Sequence, residues 1–289
     1  MNKQTIKLVG LTIFLLTVYF VVATAVWSSR ATVRRTSPAD YVLPSGLSRL
    51  LALEHRGVFA DYLFLRLITF YGERSMYGQE LDDSDWRYIE RNLENVTDLD
   101  GHFRDAYLFG ESLLAWDAGR PKAANTFLLK GMNYRKDDWI LPFYIGANNL
   151  LFLKDNEGAS RYFMEASRRP GSPDFVATLA ARTGYYAGQS KTAILFLEGL
   201  IAETTDKNMR KKLEKRKAAL VGADIIEDAL RKYRDKFGAL PADLSLLISS
   251  RYLPVLPPEP YGGQWIMLEN GRVYSSSKFV DMKVETPLP

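Results

Sequence analysis

Small and apolar residues recur in the middle of the chain at a spacing close to 34 positions. From Ala124 to Ala159 is 35 residues, and from Ala159 to Ala193 is 34. Each alanine lies in the second of two segments that are joined by a short turn containing glycine. A period of this length, built from two short helices, is typical of stacked helix-turn-helix units. The pattern predicts three helical pairs, at 105–134, 140–169 and 174–204.

The turns inside these pairs carry further residues that favour helix ends. They are Ala118–Pro121, Asp155–Gly158 and Ala187–Ser190. With the period, they resemble the tetratricopeptide repeat (TPR) family over about 58–205. The chain departs from the family at Leu108 and Ala177, where an aromatic residue is usual. The resemblance implies a solenoid whose stacked hairpins bury their apolar faces and form a concave surface for proteins or peptides. The alternative is an unrelated array of helical hairpins, which would also bury its apolar faces by stacking.

The N-terminal segment from Leu8 to Trp27 contains 20 residues without a charge. At the helical rise it would span about 30 Å, the thickness of one hydrocarbon core. We interpret it as a retained signal anchor, membrane-embedded through 8–27. A cleaved signal peptide is the alternative, with Ala23-Thr24-Ala25 as its A-x-A site.

Lysine and arginine flank this run almost equally, so charge alone does not fix its orientation. A short N-terminal tail before a long soluble domain usually places that domain outside the cytoplasm. The sequence therefore predicts an inner-membrane, single-pass protein with its soluble domain on the periplasmic side. The polar, proline-containing segment 30–45 is predicted to be a linker.

Two further helices are predicted before the three pairs. The segment Val58–Tyr77 is apolar on nearly all sides but is interrupted by Asp61 and Arg66, which favours burial over membrane insertion. The acidic run Asp82–Asp85 then predicts the cap of a helix from Trp86. This pair is predicted to be a degenerate first repeat.

The C-terminal region is predicted to be small and of mixed α and β structure. Lys207–Lys217 predicts a basic closing helix, and Ala223–Phe237 continues as an amphipathic helix that Gly238 ends. The Asn270-Gly271 turn between Trp265–Met267 and Val273–Ser275 predicts a β-hairpin.

From Ala223 to Ser277, this region resembles the globular domain of type II secretion major pseudopilins. The matching residues are Tyr233, Gly238, Pro241, Tyr252, Leu253, Pro254, Pro257, Pro260, Gly262 and Ser275. Glu259 stands where the family has aspartate, and residues 1–15 lack the prepilin cleavage pattern. The resemblance implies a shared small fold and does not imply polymerisation into a pilus. The alternative is a proline-rich tail that packs back on the solenoid.

Composition excludes several kinds of chemistry. The chain has no cysteine, and its two histidines, His55 and His102, lie in different predicted elements. A metal site built on them is not expected, and no phosphate-binding loop or nucleophile elbow occurs. The formal net charge is only +4, which does not call for a nucleic-acid partner, since that would need a concentrated basic stripe. We predict no enzyme activity, no catalytic residue, no metal and no cofactor.

The TPR resemblance implies that the first helix of each pair lines the concave side. The protein-binding groove predicted from that register contains Phe109, Leu113, Trp116, Tyr144, Asn148, Leu151, Thr178, Arg182, Tyr185 and Tyr186. Aromatic residues of this kind are frequent anchors at interfaces.

The sequence as a whole predicts a mostly α protein with four parts. These are a transmembrane signal anchor (1–29), a linker (30–45), a TPR-like helical repeat domain (46–220) and a small pseudopilin-like region (221–289). The expected function is an extracytoplasmic scaffold that binds a protein or peptide partner in a bacterial envelope assembly, with secretion or type IV pilus assembly as the first guess. The alternatives are an accessory subunit of an envelope transporter and an envelope enzyme.

Overall fold

The computed structural model describes residues 12, 14–25 and 42–280. This part of the chain is mostly helical and carries one small antiparallel sheet, as the sequence predicts. The chain forms two compact units, Met1–Ala106 and Tyr107–Pro289. The division between them lies inside the predicted repeat domain, 46–220.

The predicted membrane segment 8–27 extends beyond the described residues at both ends. Residues 14–25 are helical. Within residues 12, 14–25 and 42–280, no helix combines the length and the apolar character needed to cross a bilayer. The predicted linker 30–45 is described only from Val42 onward.

The first unit contains three described helices after Val42. They are α1 (Ser45–Ala52), α2 (Arg56–Met76) and α3 (Asp83–Leu99). As predicted, the acidic run caps α3: the Asp82 carboxylate accepts from the Ser84 and Asp85 N–H groups at 2.7 and 2.8 Å. The Asp85 carboxylate accepts from the Asp82 N–H in return, which completes a capping box.

Helix α2 packs one face against α3. Leu67 of α2 and Ile89 of α3 are fully buried, and the rings of Phe70 and Tyr88 lie 4.6 Å apart. Burial of α2, which the sequence predicts for the whole helix, is therefore confirmed for this face alone. The opposite face of α2 is exposed although it is apolar.

The second unit continues as a run of consecutive helices. They are α4 (Arg104–Ser112, which begins before the division), α5 (Pro121–Tyr134), α6 (Ile140–Asn148), α7 (Asn156–Ser167), α8 (Asp174–Tyr186), α9 (Ser190–Glu203) and α10 (Lys207–Phe237). From α5 onward each helix packs on the next one in the chain. Two π-helical turns, Leu113–Asp117 and Asn149–Leu153, follow α4 and α6 directly.

Helix α10 is a single helix of 31 residues that includes both predicted segments, Lys207–Lys217 and Ala223–Phe237. The predicted boundary between 220 and 221 lies inside it. It ends at Gly238, which has a φ of 73°, as predicted. Gly222 is buried in its middle, where a Cβ atom would lie 3.2 Å from the Trp265 ring and 3.3 Å from Pro257.

The tail after α10 contains a short helix, α11 (Ser245–Ser249), and the predicted hairpin. Strands β1 (Trp265–Met267) and β2 (Val273–Ser275) pair antiparallel, with Ile266 opposite Tyr274. The Glu259 carboxylate organises the proline-rich loop before the hairpin. It accepts from the Tyr261 and Gly263 N–H groups at 3.0 and 2.5 Å and from the Ser277 hydroxyl at 3.1 Å.

The tail shares one hydrophobic core with helices α7 to α10. This core runs from Ala159 and Phe163 through Leu197 and Leu220 to Phe279. The side chain of Arg216, on α10, is buried between the rings of Tyr261 and Phe279. The tail is thus packed as part of the second unit.

Candidate functional site

The two π-helical turns occupy matching places in the first two helical pairs, 36 residues apart. Each π-helical turn ends the first helix of its pair with a backbone hydrogen bond that spans more residues than one in an α-helix. The Ala118 N–H donates to the Leu113 carbonyl, and the Asp155 N–H to the Asn149 carbonyl, both at 2.9 Å. Such turns are rare and are often found at functional sites.

The turns present an apolar patch to solvent. We define this apolar patch as Trp116, Leu151 and Phe152. Trp116 is 58% exposed and Leu151 47% exposed, and the rings of Trp116 and Phe152 meet edge to face with centroids 4.9 Å apart. Trp116 and Phe152 occupy equivalent positions in their respective turns. Each of the two helical pairs therefore contributes one aromatic ring to the apolar patch.

Asparagine side chains connect the two pairs beneath these turns: Asn148 and Asn149 are buried, and Asn125 is half-buried. The Asn148 amide donates to Asn125 Oδ1 at 3.0 Å, and the Asn125 amide donates to Asn149 Oδ1 at 2.9 Å. Gly158 leaves room for this cluster, since a Cβ atom there would lie 2.7 Å from the Asn149 amide nitrogen. A satisfied polar network of this kind fixes one arrangement of the helices around it.

Glu111 lies at one end of this asparagine cluster and is 2% exposed. Burial raises the pKa of its carboxyl group to about 7, while hydrogen bonding to Asn148 and Trp116 lowers it by a smaller amount. Within the described part of the chain, its Oε1 atom has no hydrogen-bond partner. Glu111 therefore exchanges its proton near neutral pH and directly contacts the side chain that anchors the apolar patch.

The third helical pair is different, because the tail covers the corresponding surface. Tyr186 holds the place of Phe152, and its ring stacks on Tyr274 of β2 at 4.7 Å with an interplanar angle of 7°. The neighbouring Tyr185 is fully buried. Its hydroxyl group contacts both the Val273 carbonyl and the Glu227 carboxylate.

A charged group on α10 completes this attachment of β2. Glu227 accepts from Arg272 Nε and from the Val273 N–H, both at 2.9 Å. The Arg272 guanidinium also donates to the Tyr185 carbonyl and lies over the Tyr185 ring. Burial raises the pKa of Tyr185 well above its usual range, so its hydroxyl group stays protonated and able to donate.

The ten residues of the predicted groove fall into three groups by exposure. Trp116 and Leu151 are exposed. Partly buried are Phe109, Tyr144, Thr178, Arg182 and Tyr186. Leu113, Asn148 and Tyr185 are buried, at 2%, 1% and 0% exposure. A side chain without solvent contact offers no surface to a partner, so these last three hold the fold together.

Sequence reasoning missed four residues around this site: Glu111, Asn125, Asn149 and Phe152. Phe152 had a usable signal, since it lies 36 residues after Trp116 and 34 before Tyr186. The polar residues had none, because a single glutamate or asparagine in a helix is usually solvated. Groups of histidine, aspartate and glutamate suited to a metal ion are absent from the described ranges.

No family model, no curated protein and no solved structure matches this chain. The resemblances to TPR repeats and to pseudopilins therefore stay predictions from the sequence.

Proposed function

We propose that this protein is a membrane-anchored, extracytoplasmic helical-repeat scaffold that binds a protein partner in a bacterial envelope assembly. One observation carries the proposal: the exposed apolar patch formed by Trp116, Leu151 and Phe152. Exposed tryptophan beside other apolar side chains is a frequent mark of an interface anchor. The partner would bury these side chains while the cluster beneath them holds the helices in place.

The TPR-like solenoid is part of this proposal. It is supported by the consecutive packing of α5 to α10 and by the matching places of the two π-helical turns. In such an array the repeated helices act as a rigid support, and binding specificity comes from the side chains at a few exposed positions.

The membrane anchor and the periplasmic location rest on the uncharged run 8–27. A secretion or type IV pilus apparatus is proposed as the assembly on account of the pseudopilin-like sequence of the tail. The tail itself packs on the third helical pair, so the first two pairs carry the surface that is open to a partner.

The experiment that tests this function compares three forms of the full-length protein in affinity capture from detergent-solubilised native membranes. The wild type is compared with Trp116→Ala and with Leu195→Ala, which removes a 67% exposed leucine from α9. We expect the same envelope proteins to be retained by the wild type and Leu195→Ala and lost by Trp116→Ala. Equal retention by all three forms, or retention by none, would count against the scaffold.

A second candidate function, an envelope enzyme or transporter subunit, is favoured by Glu111. A carboxyl group with a pKa of about 7 is suited to proton transfer at neutral pH. Its 2% exposure means that a substrate would reach it only after the side chains that cover it moved. Loss of a cellular phenotype in Glu111→Gln with unchanged partner capture would favour this candidate.

A further inference from the structure

Helix α2 carries a second exposed surface, separate from the apolar patch. Residues along one face of this helix follow one another at alternating intervals of four and three positions. We call this face the α2 seam, and it consists of Val58, Tyr62, Leu65, Thr69, Gly72 and Met76. All six are exposed. The seam lies on the side of α2 opposite Leu67, which is buried against α3.

The spacing of the seam is the heptad pattern of two-stranded coiled coils. In such a pair, the residues at the a and d positions of one helix pack on those of the other. Tyr62, Thr69 and Met76 take the a positions in α2, and Val58, Leu65 and Gly72 take the d positions. Within the described residues, no atom lies within 4 Å of a Cβ atom added at Gly72. A partner helix can therefore approach closely there.

The charges beside the seam suit a second copy of the same helix. Asp61 takes a g position on one edge, and Arg66 takes an e position on the other edge. In a parallel pair in register, a g residue lies beside the e residue five positions later in the partner helix. Asp61 of each copy would then face Arg66 of the other, which gives two ion pairs of opposite charge.

The same two charges do not satisfy each other within one helix. Residues five positions apart point about 140° away from one another around the helix axis. Among the described residues, Arg66 contacts the Tyr62 ring at 5.9 Å, and neither Asp61 nor Arg66 forms an ion pair. The remaining acid on the edges, Glu73, would lie beside Ile68 of the partner helix and stay in water, so the pairing brings no like charges together.

The proposed anchor favours the parallel orientation. Both copies would enter α2 from the same membrane surface, with fourteen residues, 28–41, between the uncharged run and Val42. An anchor also confines the two copies to one plane, which raises the effective concentration of one seam at the other. A seam of fewer than three heptads can then pair although it is short.

We propose that the α2 seam binds the α2 seam of a second copy of this protein as a parallel, two-stranded coiled coil. The parallel orientation rests on the membrane anchor of the proposed function, whereas the pairing rests on the seam itself. The inference adds that the scaffold is a dimer, which would offer two apolar patches to its partners.

Disulfide crosslinking tests the pairing directly, because the chain has no cysteine of its own. Full-length Leu65→Cys and Arg91→Cys proteins would be reconstituted in lipid vesicles, oxidised and separated on a non-reducing gel. Leu65, at a d position, would lie across from its counterpart within reach of a disulfide. Arg91 is exposed on α3, outside the seam. We expect the crosslinked dimer at 65 to exceed that at 91 at least about fivefold.

A charge exchange in the Leu65→Cys protein separates direct pairing from loss of the fold. Asp61→Arg would place two arginines side by side and should lower the yield of dimer about threefold. Adding Arg66→Asp restores opposite charges between the copies and should return the yield. A yield that Asp61→Arg lowers and Arg66→Asp does not restore would overturn the parallel pairing.

Flotation of the same vesicles after a carbonate wash tests the anchor separately. Protein that floats but crosslinks equally at 65 and 91 would overturn the dimer and leave the anchor intact. Protein that crosslinks at 65 but does not float would overturn the anchor and support the dimer. A cysteine at 65 that stays monomeric yet is shielded from a water-soluble maleimide would assign the seam to lipid, and would also overturn the inference.

Discussion

At the scale of single residues, the second unit depends on polar side chains in its interior. Asn125 bridges Asn148 and Asn149, and Glu111 lies beside them with one oxygen unpartnered among the described residues. Burying such groups costs free energy unless their hydrogen bonds are made. Their placement at the junction of two helical pairs, below the apolar patch, is what makes them informative about function.

The pH dependence of stability should reveal Glu111. Its pKa in the folded protein, about 7, lies above the ordinary value of 4.5. The folded state therefore binds its proton more tightly than the unfolded state, and stability should fall as pH rises from 4.5 to 7. In Glu111→Gln this fall should disappear, so the variant should match the wild type at pH 4 and exceed it at pH 8. Urea unfolding across this range measures both.

The matched control is Glu157→Gln, which neutralises an exposed carboxyl group on α7. Its stability curve should run parallel to that of the wild type. If Glu111→Gln also ran parallel, Glu111 would titrate as an ordinary surface carboxylate and the buried environment described for it would be wrong.

Residue-level predictions from sequence were correct for helix caps and were correct only in part for exposure. Asp82 and Gly238 have local roles that follow from the chemistry of helix ends, and both are confirmed. Leu113, Asn148 and Tyr185 were predicted to line a groove but are buried. Periodicity identifies a helix face, but which neighbour covers that face depends on packing between distant segments.

At the scale of elements, close helix crossings depend on glycine. Gly146 of α6 faces Phe163 of α7, and a Cβ atom at this position would lie 2.7 Å from the phenyl ring. Contacts this short do not occur between real side chains, so the two helices approach closely because position 146 has no side chain. At Gly222 the contact is less close, since a Cβ atom would lie 3.2 Å from the Trp265 ring.

Gly146→Ala should destabilise the protein. Overpacking of a core usually costs about 1–3 kcal/mol, and the helical preference of alanine returns about 0.5–1 kcal/mol. Gly199→Ala is the control, because Gly199 lies within α9 with no atom within 4 Å of its added Cβ. That variant should gain about 0.5–1 kcal/mol. Chemical denaturation measures both changes, and the same sign for both would contradict the close crossing.

The elements themselves were largely predictable, while their irregularities were not. The hairpin β1–β2 follows from its Asn-Gly turn, and helices α5 to α9 follow from the period near 34. The π-helical turns were not predicted, because the one extra residue in such a turn hardly changes the spacing of the apolar positions along the sequence. The predicted boundary between 220 and 221 falls inside α10, because the burial of Gly222 against the tail is not evident from the local sequence.

At the scale of the molecule, the tail is joined to the second unit by its core and by one charged attachment. Glu227 holds Arg272, the Val273 N–H and the Tyr185 hydroxyl group together. Glu227 lies on α10, and its partners come from α8 and from the start of β2, so the attachment connects three parts of the chain. The sequence predicted the hairpin, and packing of the tail on the helical repeats was the alternative to a separate small fold; the residues that make the attachment were not predicted.

Glu227→Ala should therefore destabilise the whole second unit. Removing one partner of a buried ion pair typically costs about 3–5 kcal/mol. Because Arg272 retains 25% exposure, we expect a loss of about 2–3 kcal/mol. Glu198→Ala is the control, since it removes an exposed partner of Lys217 at 3.4 Å and should cost less than about 1 kcal/mol. Denaturation followed by far-UV circular dichroism compares them, and equal effects would contradict the attachment.

The central claim is that the apolar patch binds a protein partner in the envelope. Site-specific photo-crosslinking in native membranes tests it most directly, with the photoreactive residue placed at Leu151 of the patch or at Leu195 of α9. The account predicts a discrete protein adduct from position 151 that is absent from position 195 and is lost when Trp116 is changed to Ala. No adduct at 151, or the same adducts at both positions, would contradict it.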